Sequence, residues 1–391
     1  MKKIKLNDIV KVNQSGEWGT GLKEGEIGTK VIRTADFNND GSINYDNVIF
    51  RNIQQKKIDE KKLIYGDIII EKSGGTDKNP VGRVVFFNDD NNIYLSNNFT
   101  QVIRIKESMN SKFVFYNLYF NYKNGSTLQM FNKTTGIQNL QMKQFLNQKI
   151  SYISLEEQEI AVRKLDNVRN IIEIKQKQLQ DLDKLIKSQF VEMFGSGNYP
   201  REELGKLCDV RDGTHDSPKY LEESGYKFIT SKNIINNEID FSGVKYISKQ
   251  DYDKFNTRSK VNYGDILMPM IGTIGKPMIV NIPDDEIDFA IKNVALIKFL
   301  YNSQVTNIYI KNLLDSDYFE NAILQNKRGG TQKFIALSDI RKMQIEIPPI
   351  ELQNQFADIV KQIDKQKFEI QKSLEEMKKL QENLMNKYFG G

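Results

Sequence analysis

The sequence predicts an α+β fold built twice: two similar globular mixed α/β domains separated by two long helices that form an antiparallel coiled coil, the whole a pseudo-twofold tandem repeat. Three observations predict it. The chain matches itself at a shift of 195 to 198 residues, each copy closes on a stretch of 3.5-residue apolar periodicity, and the remainder reads as short apolar runs broken by Gly, Asn and Asp. A length of 391 residues also exceeds what one hydrophobic core needs.

The repeat is visible in several separate segments. Leu6–Val12 matches Leu204–Val210, Gly28–Thr34 matches Gly225–Ser231, and Tyr65-Gly66-Asp67-Ile68 recurs unchanged as Tyr263-Gly264-Asp265-Ile266. A glycine-containing loop follows each, Ser73-Gly74-Gly75-Thr76 and Gly272-Thr273-Ile274-Gly275-Lys276. The copies then reach Lys133-Thr134-Thr135-Gly136-Ile137-Gln138 and Arg328-Gly329-Gly330-Thr331-Gln332-Lys333, and end on Phe194-Gly195 and Phe389-Gly390.

Within the globular parts, strands are expected at 67–70, 82–87, 102–105 and 293–299, and helices at 112–122 and 306–325. From Ser154 the period becomes 3.5. The first seam runs Leu165, Val168, Ile172, Lys175, Leu179, Leu182, Ile186, Gln189 and Met193; the second runs Val360, Ile363, Lys367, Ile370, Leu374, Met377, Gln381, Leu384 and Tyr388. The apolar members are expected to pack helix on helix, and the polar ones to specify the pairing. About 39 residues at 1.5 Å each make a rod on the order of 60 Å, longer than one B-DNA turn of about 34 Å. These readings divide the chain into 1–153, 154–195, 196–349 and 350–391.

Composition narrows the function. One cysteine, Cys208, excludes an internal disulfide and a cysteine-cluster zinc site, and one histidine, His215, excludes a multi-histidine metal site. No run of about 18 apolar residues suggests a membrane span, and Met1–Val10 lacks the apolar stretch of a secretion signal, so a cytoplasmic protein is expected. The net charge is +5. Residues 155–193 hold seven basic and eight acidic residues and residues 350–389 hold seven of each, which leaves an excess of six positive charges on the globular parts, where a phosphate-contacting surface needs it.

In layout the chain resembles the specificity subunit of type I restriction-modification systems, which combines two target recognition domains with two long conserved helices. The resemblance covers essentially the whole chain. It is carried by Thr134-Thr135-Gly136-Ile137-Gln138-Asn139-Leu140 leading to Ile153-Ser154-Leu155-Glu156-Glu157-Gln158, by Gly329-Gly330-Thr331-Gln332 leading to Ile347-Pro348-Pro349-Ile350-Glu351-Leu352-Gln353, and by Asp212-Gly213-Thr214-His215 with Pro218 and Tyr220. The first half departs from the last of these, with Ser15-Gly16-Glu17-Trp18-Gly19. The resemblance implies that residues 1–153 and 196–349 each read one half of a split DNA target. It implies that the helices 154–195 and 350–391 space them and bind two methyltransferase subunits, and that restriction subunits, the endonuclease and translocase, join through the complex. S-adenosylmethionine, ATP and Mg would then sit on the partners, with no cofactor or metal on this chain.

The residues agree that the chain is not itself an enzyme. An adenine methyltransferase needs Asn or Asp before Pro-Pro and an aromatic, whereas Pro348-Pro349 lies between isoleucines. A phosphate loop ending Gly-Lys-Ser/Thr is missing, and Pro283-Asp284-Asp285-Glu286 lacks a fitting acidic-x-Lys partner and reads as a turn.

Glycine loops rich in Ser, Thr and Lys suit phosphate contact, and Arg, Lys, Asn and Gln suit base edges. The residues expected at DNA are therefore Ser73, Gly75, Thr76, Lys133, Thr134, Thr135 and Gln138 in the first half. In the second they are Thr214, His215, Lys232, Thr273, Lys276, Asn293, Arg328, Gly330, Thr331, Gln332 and Lys333. Of these, Gln138, Gln332, Lys333, Lys232 and Asn293 are the base-edge candidates. His215 suits a packing role equally, and Trp18 is better read as core than as a base-stacking ring. The alternative to DNA reading is a coiled-coil interaction scaffold, which predicts no salt-dependent DNA affinity.

Overall fold

The computed structural model describes residues 2–134, 136–222, 224–235, 237–271, 275–300, 302–316, 319 and 334–390. The chain forms two compact units, residues 1–176 with 372–391, and residues 177–371. Each unit thus takes one globular half together with a stretch of both long helices.

The first unit contains the strands β1 (Lys2–Lys5), β2 (Val10–Ser15), β3 (Thr29–Ile32), β4 (Ile49–Arg51), β5 (Ile68–Glu71), β6 (Ser73–Gly74), β7 (Val84–Phe86), β8 (Tyr94–Ser96), β9 (Thr100–Ile105), β10 (Phe131–Thr134), β11 (Ile137–Leu140) and β12 (Lys149–Tyr152). They pair in the orders β2-β9-β5-β7, β4-β3-β8, β10-β11-β6 and β1-β12, antiparallel except for β3 on β8. The expected helix is present as Ser111–Lys123. Asn110 starts it by accepting from the N–H groups of Lys112 and Phe113, and it stops where Gly125 adopts a φ of 73°. Its buried face, with Phe113, Val114 and Phe120, meets Ile68, Ile103 and Leu165 in one core.

The second unit repeats the scheme. Its strands are β13 (Arg201–Glu203), β14 (Cys208–Asp212), β15 (Tyr226–Thr230), β16 (Ile234–Ile235), β17 (Glu238–Ile239), β18 (Lys245–Ile247), β19 (Ile266–Pro269), β20 (Met278–Ile279), β21 (Phe289–Lys292), β22 (Val294–Phe299) and β23 (Gln344–Glu346). The orders β14-β22-β19-β20, β18-β15-β21 and β13-β23 reproduce three sheets of the first unit, including one parallel pair, β15 on β21. The helix expected over 306–325 is described only as Asn307–Leu314. Thr306 caps its start, and a turn follows at Asp315 and Ser316, whose N–H groups return to Lys311 and Leu313.

The recurring Tyr-Gly-Asp-Ile is explained by this scheme. Gly66 and Gly264 hold φ values of 91° and 82°, which a side chain resists, and each turns the chain into β5 or β19. Asp67 and Asp265 then accept from the backbone N–H of Ile64 and Asn262 and pair with Arg104 on β9 and Lys298 on β22. Burial pushes the Asp265 carboxyl up, against the pull of Lys298. The motif is a structural corner.

The long helices are Leu155–Phe194 and Ile350–Phe389. Ser154 and Glu157 form a reciprocal cap at the start of the first. In the second unit Phe190 and Phe194 each lie 5.5 Å from Phe356, and Lys367 reaches Asp183 at 2.6 Å. Later residues of one helix thus meet earlier residues of the other, an antiparallel pairing. The polar seam residue Lys367 is satisfied by a carboxylate from the facing helix. Of the expected packing residues, Leu165, Val168, Ile172, Ile186, Val360, Ile363 and Leu374 are buried; Leu179, Leu182, Ile370, Met377 and Leu384 are half-buried. The repeated Phe-Gly endings also have a use. Phe389 packs on Phe113 of the first unit at 5.1 Å and Phe194 on Tyr309 of the second at 4.9 Å.

Candidate nucleic-acid interface

In the second unit the segments carrying the expected contact residues converge on Asn293, in the turn between β21 and β22. The loop Asp212–His215 crosses over this turn. Gly213 and Thr214 donate their N–H groups to the carbonyls of Val294 and Ile291, at 2.9 and 3.0 Å. A Cβ on Gly213 would stand 2.4 Å from the Ile291 carbonyl oxygen, so only glycine allows the crossing. Asn293 itself adopts a φ of 55°, a conformation Asn tolerates better than most residues. Its N–H donates to the Thr214 carbonyl at 3.3 Å and its carbonyl accepts from Ser231 Oγ at 3.0 Å and the Met270 N–H at 3.4 Å. Exposed Lys232 follows Ser231, and exposed Lys276 follows Gly275, whose N–H returns to the Pro269 carbonyl at the end of β19.

The side chains here are partly engaged. Thr214 Oγ1 accepts from the Asp216 N–H at 3.0 Å. His215 lies between Asn293 Oδ1, 2.7 Å from Nδ1, and Asp212 Oδ2, 2.8 Å from Nε2. Arg258 holds the other oxygen of Asp212, Lys254 pairs with Asp216, and Lys292 donates to Ser217. Thr273, Arg328, Gly330, Thr331, Gln332 and Lys333 lie outside the described residues, as does Thr135 of the first half.

The first unit builds the same crossing from a different sequence. Gly16 and Glu17 donate to the carbonyls of Thr100 and Ser96 at 3.2 and 2.7 Å, and a Cβ on Gly16 would come within 2.0 Å of the Asn97 carbonyl oxygen. Gly16 therefore occupies the place of Gly213, Glu17 that of Thr214 and Trp18 that of His215. Hydrogen bonding to Lys61 holds the Glu17 carboxyl below its usual range. Trp18 is half-buried against Val31, Ile53 and Leu95, with the Arg51 guanidinium 4.4 Å from its ring.

Beside this crossing, Ser73, Gly75, Thr76 and Lys133 gather around the sheet β10-β11-β6. Ser73 Oγ donates to Asn139 at 2.8 Å, and Thr76 exchanges two hydrogen bonds with Asn79, so both hydroxyls organise the loop. Gly75 holds a φ of 63°. Lys133 is exposed beside Asp77, and Thr134 pairs with Ile137 across a tip made by Gly136. Gln138, expected at a base edge, is corrected. It is buried, and its Oε1 accepts from the Val81 N–H at 3.1 Å, which pins the loop from beneath.

Sequence reasoning missed Lys61 and Lys72. Lys72 reaches Ser15 at the crossing, and burial, with nearby Lys61, lowers its amine's proton affinity. Its place beside Ser73 was a weak signal; Lys61, on the separate helix Gln55–Lys61, had none. Among the described residues no group of three or more His, Cys, Asp or Glu side chains is placed to hold a metal ion, and no helix is long and apolar enough to cross a membrane.

Two copies of one α+β unit, each carrying a glycine crossing with exposed lysines nearby, define a tandem-repeat protein. The chain belongs to the family of the type I restriction modification DNA specificity domain, whose profile matches residues 1–184 and 199–379. It is 25% identical over 315 residues to the specificity subunit of the type I restriction enzyme MjaVIII from Methanocaldococcus jannaschii, covering 75% of this chain and 72% of that one. It is 25% identical over 193 residues to the EcoBI specificity subunit from Escherichia coli, covering 48% and 35%. Its fold is similar to the type I S subunit from M. genitalium, with a TM-score of 0.57 at 14% identity over 99% of this chain and 96% of that one. It is also similar to a chain from a study of type I R-M complex assembly and conformational transition, at 0.55 and 17% over 99% and 97%.

Proposed function

We propose that each unit reads one half of a bipartite DNA sequence, and that the long helices set the spacing of the halves and dock two methyltransferase subunits. The observation that carries this reading is the glycine crossing, built in both units by two successive N–H groups that donate to carbonyls on either side of a strand connection, but presenting Glu17 and Trp18 in one and Thr214 and His215 in the other. An equal frame with unequal side chains suits two different half-sites read by one design. Both long helices leave apolar side chains exposed, among them Ile174, Leu185, Val191 and Phe368, which suits docking of partner subunits. In this reading the chain is a non-catalytic recognition component. Restriction subunits join through the complex, and S-adenosylmethionine, ATP and Mg belong to the partners.

The test is co-expression with the methyltransferase subunit of the same system, purification of the complex, and selection from a pool of duplexes at two salt concentrations. A split sequence of which only one half changes when residues 1–150 are exchanged supports the reading. Failure to form a complex, with no salt-dependent DNA affinity in the chain, returns it to a scaffold.

A further inference from the structure

Lys72 is a cation without a counter-ion. It stands between β5 and β6, where its N–H donates to the Phe99 carbonyl at 2.9 Å and its carbonyl accepts from the Leu140 N–H at 2.7 Å, so its backbone is fixed from two sides. Its half-buried amine donates to Ser15 Oγ, and among the described residues no carboxylate pairs with it. The adjacent Glu71 is held by Arg83 at 2.7 Å. Glu17, the carboxylate of the crossing, is held by Lys61 at 3.1 Å, and the same Lys61 amine lies 3.4 Å from the Gly16 carbonyl. Two amines thus converge on the consecutive residues Ser15, Gly16 and Glu17, which carry one carboxylate. Ser15 Oγ accepts from Lys72, which leaves its own hydrogen to donate.

The second unit builds the same corner without a lysine. Met270 stands where Lys72 does, at the repeat shift of 198 residues that aligns the two Tyr-Gly-Asp-Ile segments. Its N–H donates to the Asn293 carbonyl at 3.4 Å, its carbonyl accepts from the Ile335 N–H at 3.0 Å, and its side chain is buried in the apolar core. A thioether therefore fills this corner at no electrostatic cost, whereas burial and the like charge of Lys61 both lower the proton affinity of the Lys72 amine. A half-buried charge left unpaired weakens a fold, and an anion relieves it. Two amines and a hydroxyl gathered on a glycine crossing suit the oxygens of a phosphodiester. We propose that Lys72, Lys61 and Ser15 form a phosphodiester-binding site that anchors the DNA backbone at the first half-site, and that the second unit, with Met270 in the place of Lys72, holds its half-site without this anchor. This inference rests on the DNA-reading function proposed above.

The experiment uses the complete complex with its methyltransferase subunit, duplexes carrying the split sequence it selects, and Lys72→Met, which gives the first unit the residue type of the second. Affinity for DNA is expected to fall on the order of tenfold at low salt, and the slope of log K against log salt to decrease by about 0.9, with base choice unaltered at every position. Without DNA the variant complex should melt at the wild-type temperature or above it, because an unpaired charge has been removed. Ser15→Ala, which deletes a neutral donor, should weaken binding with the slope unchanged. A lower melting temperature for Lys72→Met would make the lysine a structural residue and overturn the inference. Weaker assembly with the methyltransferase subunit would overturn it as well, by assigning the anion to that partner. If the wild type selects a split sequence and Lys72→Met binds it with unchanged affinity and slope, the inference falls and the reading function stands. If the wild type selects no split sequence, both fall.

Discussion

The side chain of Gln353 closes on Thr306: its Oε1 accepts the Thr306 backbone N–H at 2.8 Å, while its Nε2 donates to the carbonyls of Gln304 and Pro348, both at 2.9 Å. Thr306 caps the helix Asn307–Leu314, so one amide joins the first turn of a long helix to the start of the globular half's own helix. Gln158 does the same in the first unit, accepting from Asn110, the cap of Ser111–Lys123, and donating to the Ile153 carbonyl. Both glutamines are buried. The repeated Gln after each helix start is thus a latch.

Gln353→Ala should remove a hydrogen bond from three backbone groups, the buried Pro348 carbonyl and the part-buried Thr306 N–H and Gln304 carbonyl. A loss of about 1–3 kcal/mol follows. In urea the midpoint should fall with the slope unchanged, and Gln158→Ala should behave alike. A midpoint within error of wild type for both variants would show that water replaces the latch at no cost.

Phe389 makes a separable prediction, because the second helix ends by inserting it between Phe113 and Phe120, at 5.1 and 6.0 Å. Truncation to Ala removes a buried ring from the first unit's core and should cost roughly 3–5 kcal/mol. Hydrogen exchange should quicken at Ser111–Lys123 and not at Asn307–Leu314. Equal quickening in both helices would contradict the assignment of Phe389 to the first unit.

The parts of this fold that were legible in the sequence are those defined by local spacing. The 3.5-residue seams could be read directly, because heptads depend on residues three and four apart; of the Tyr-Gly-Asp-Ile motif only its recurrence could be read, since the Arg104 and Lys298 that pair with its carboxylates lie 37 and 33 residues further along. The equivalence of Gly16 and Gly213 could not. The two segments share only that glycine, and what relates them is hydrogen bonding to a strand turn about 80 residues further along. Gln138 misled for a similar reason: a polar residue in an exposed hairpin reads as outward until the Val81 N–H that it accepts, 57 residues earlier, is placed against it. The division at 153 and 349 followed the change of pattern, whereas the packing follows the Phe-Gly helix ends, which carry part of each helix into a unit.

Cys208 offers a probe of the second unit. It is buried at the start of β14, and burial raises its thiol pKa from 9.0 to about 12. The native protein should resist alkylation at pH 8 and react only on unfolding, at a rate that tracks denaturant. The unfolded thiol ionises first, so the folded state binds the extra proton between pH 9 and 12. Stability from this group is therefore complete below pH 9 and is lost as pH rises through that window. Cys208→Ala should flatten this part of the pH profile; an unchanged profile would assign the alkaline loss to other groups.

The lysines divide by what they can touch. Lys133, Lys232 and Lys276 are exposed on the loops that flank the two crossings, and a lysine that meets phosphate releases a counterion whatever the sequence. Replacing any one by Met should lower affinity for all duplexes in the same proportion and reduce the slope of log K against log salt by about 0.9, with base choice unaltered. Measured on the intact complex, the Lys133→Met effect should persist when the second half-site is scrambled, and the Lys232→Met and Lys276→Met effects when the first is scrambled. A change in base preference at one position, with the slope untouched, would move that lysine from the phosphate backbone to a base edge.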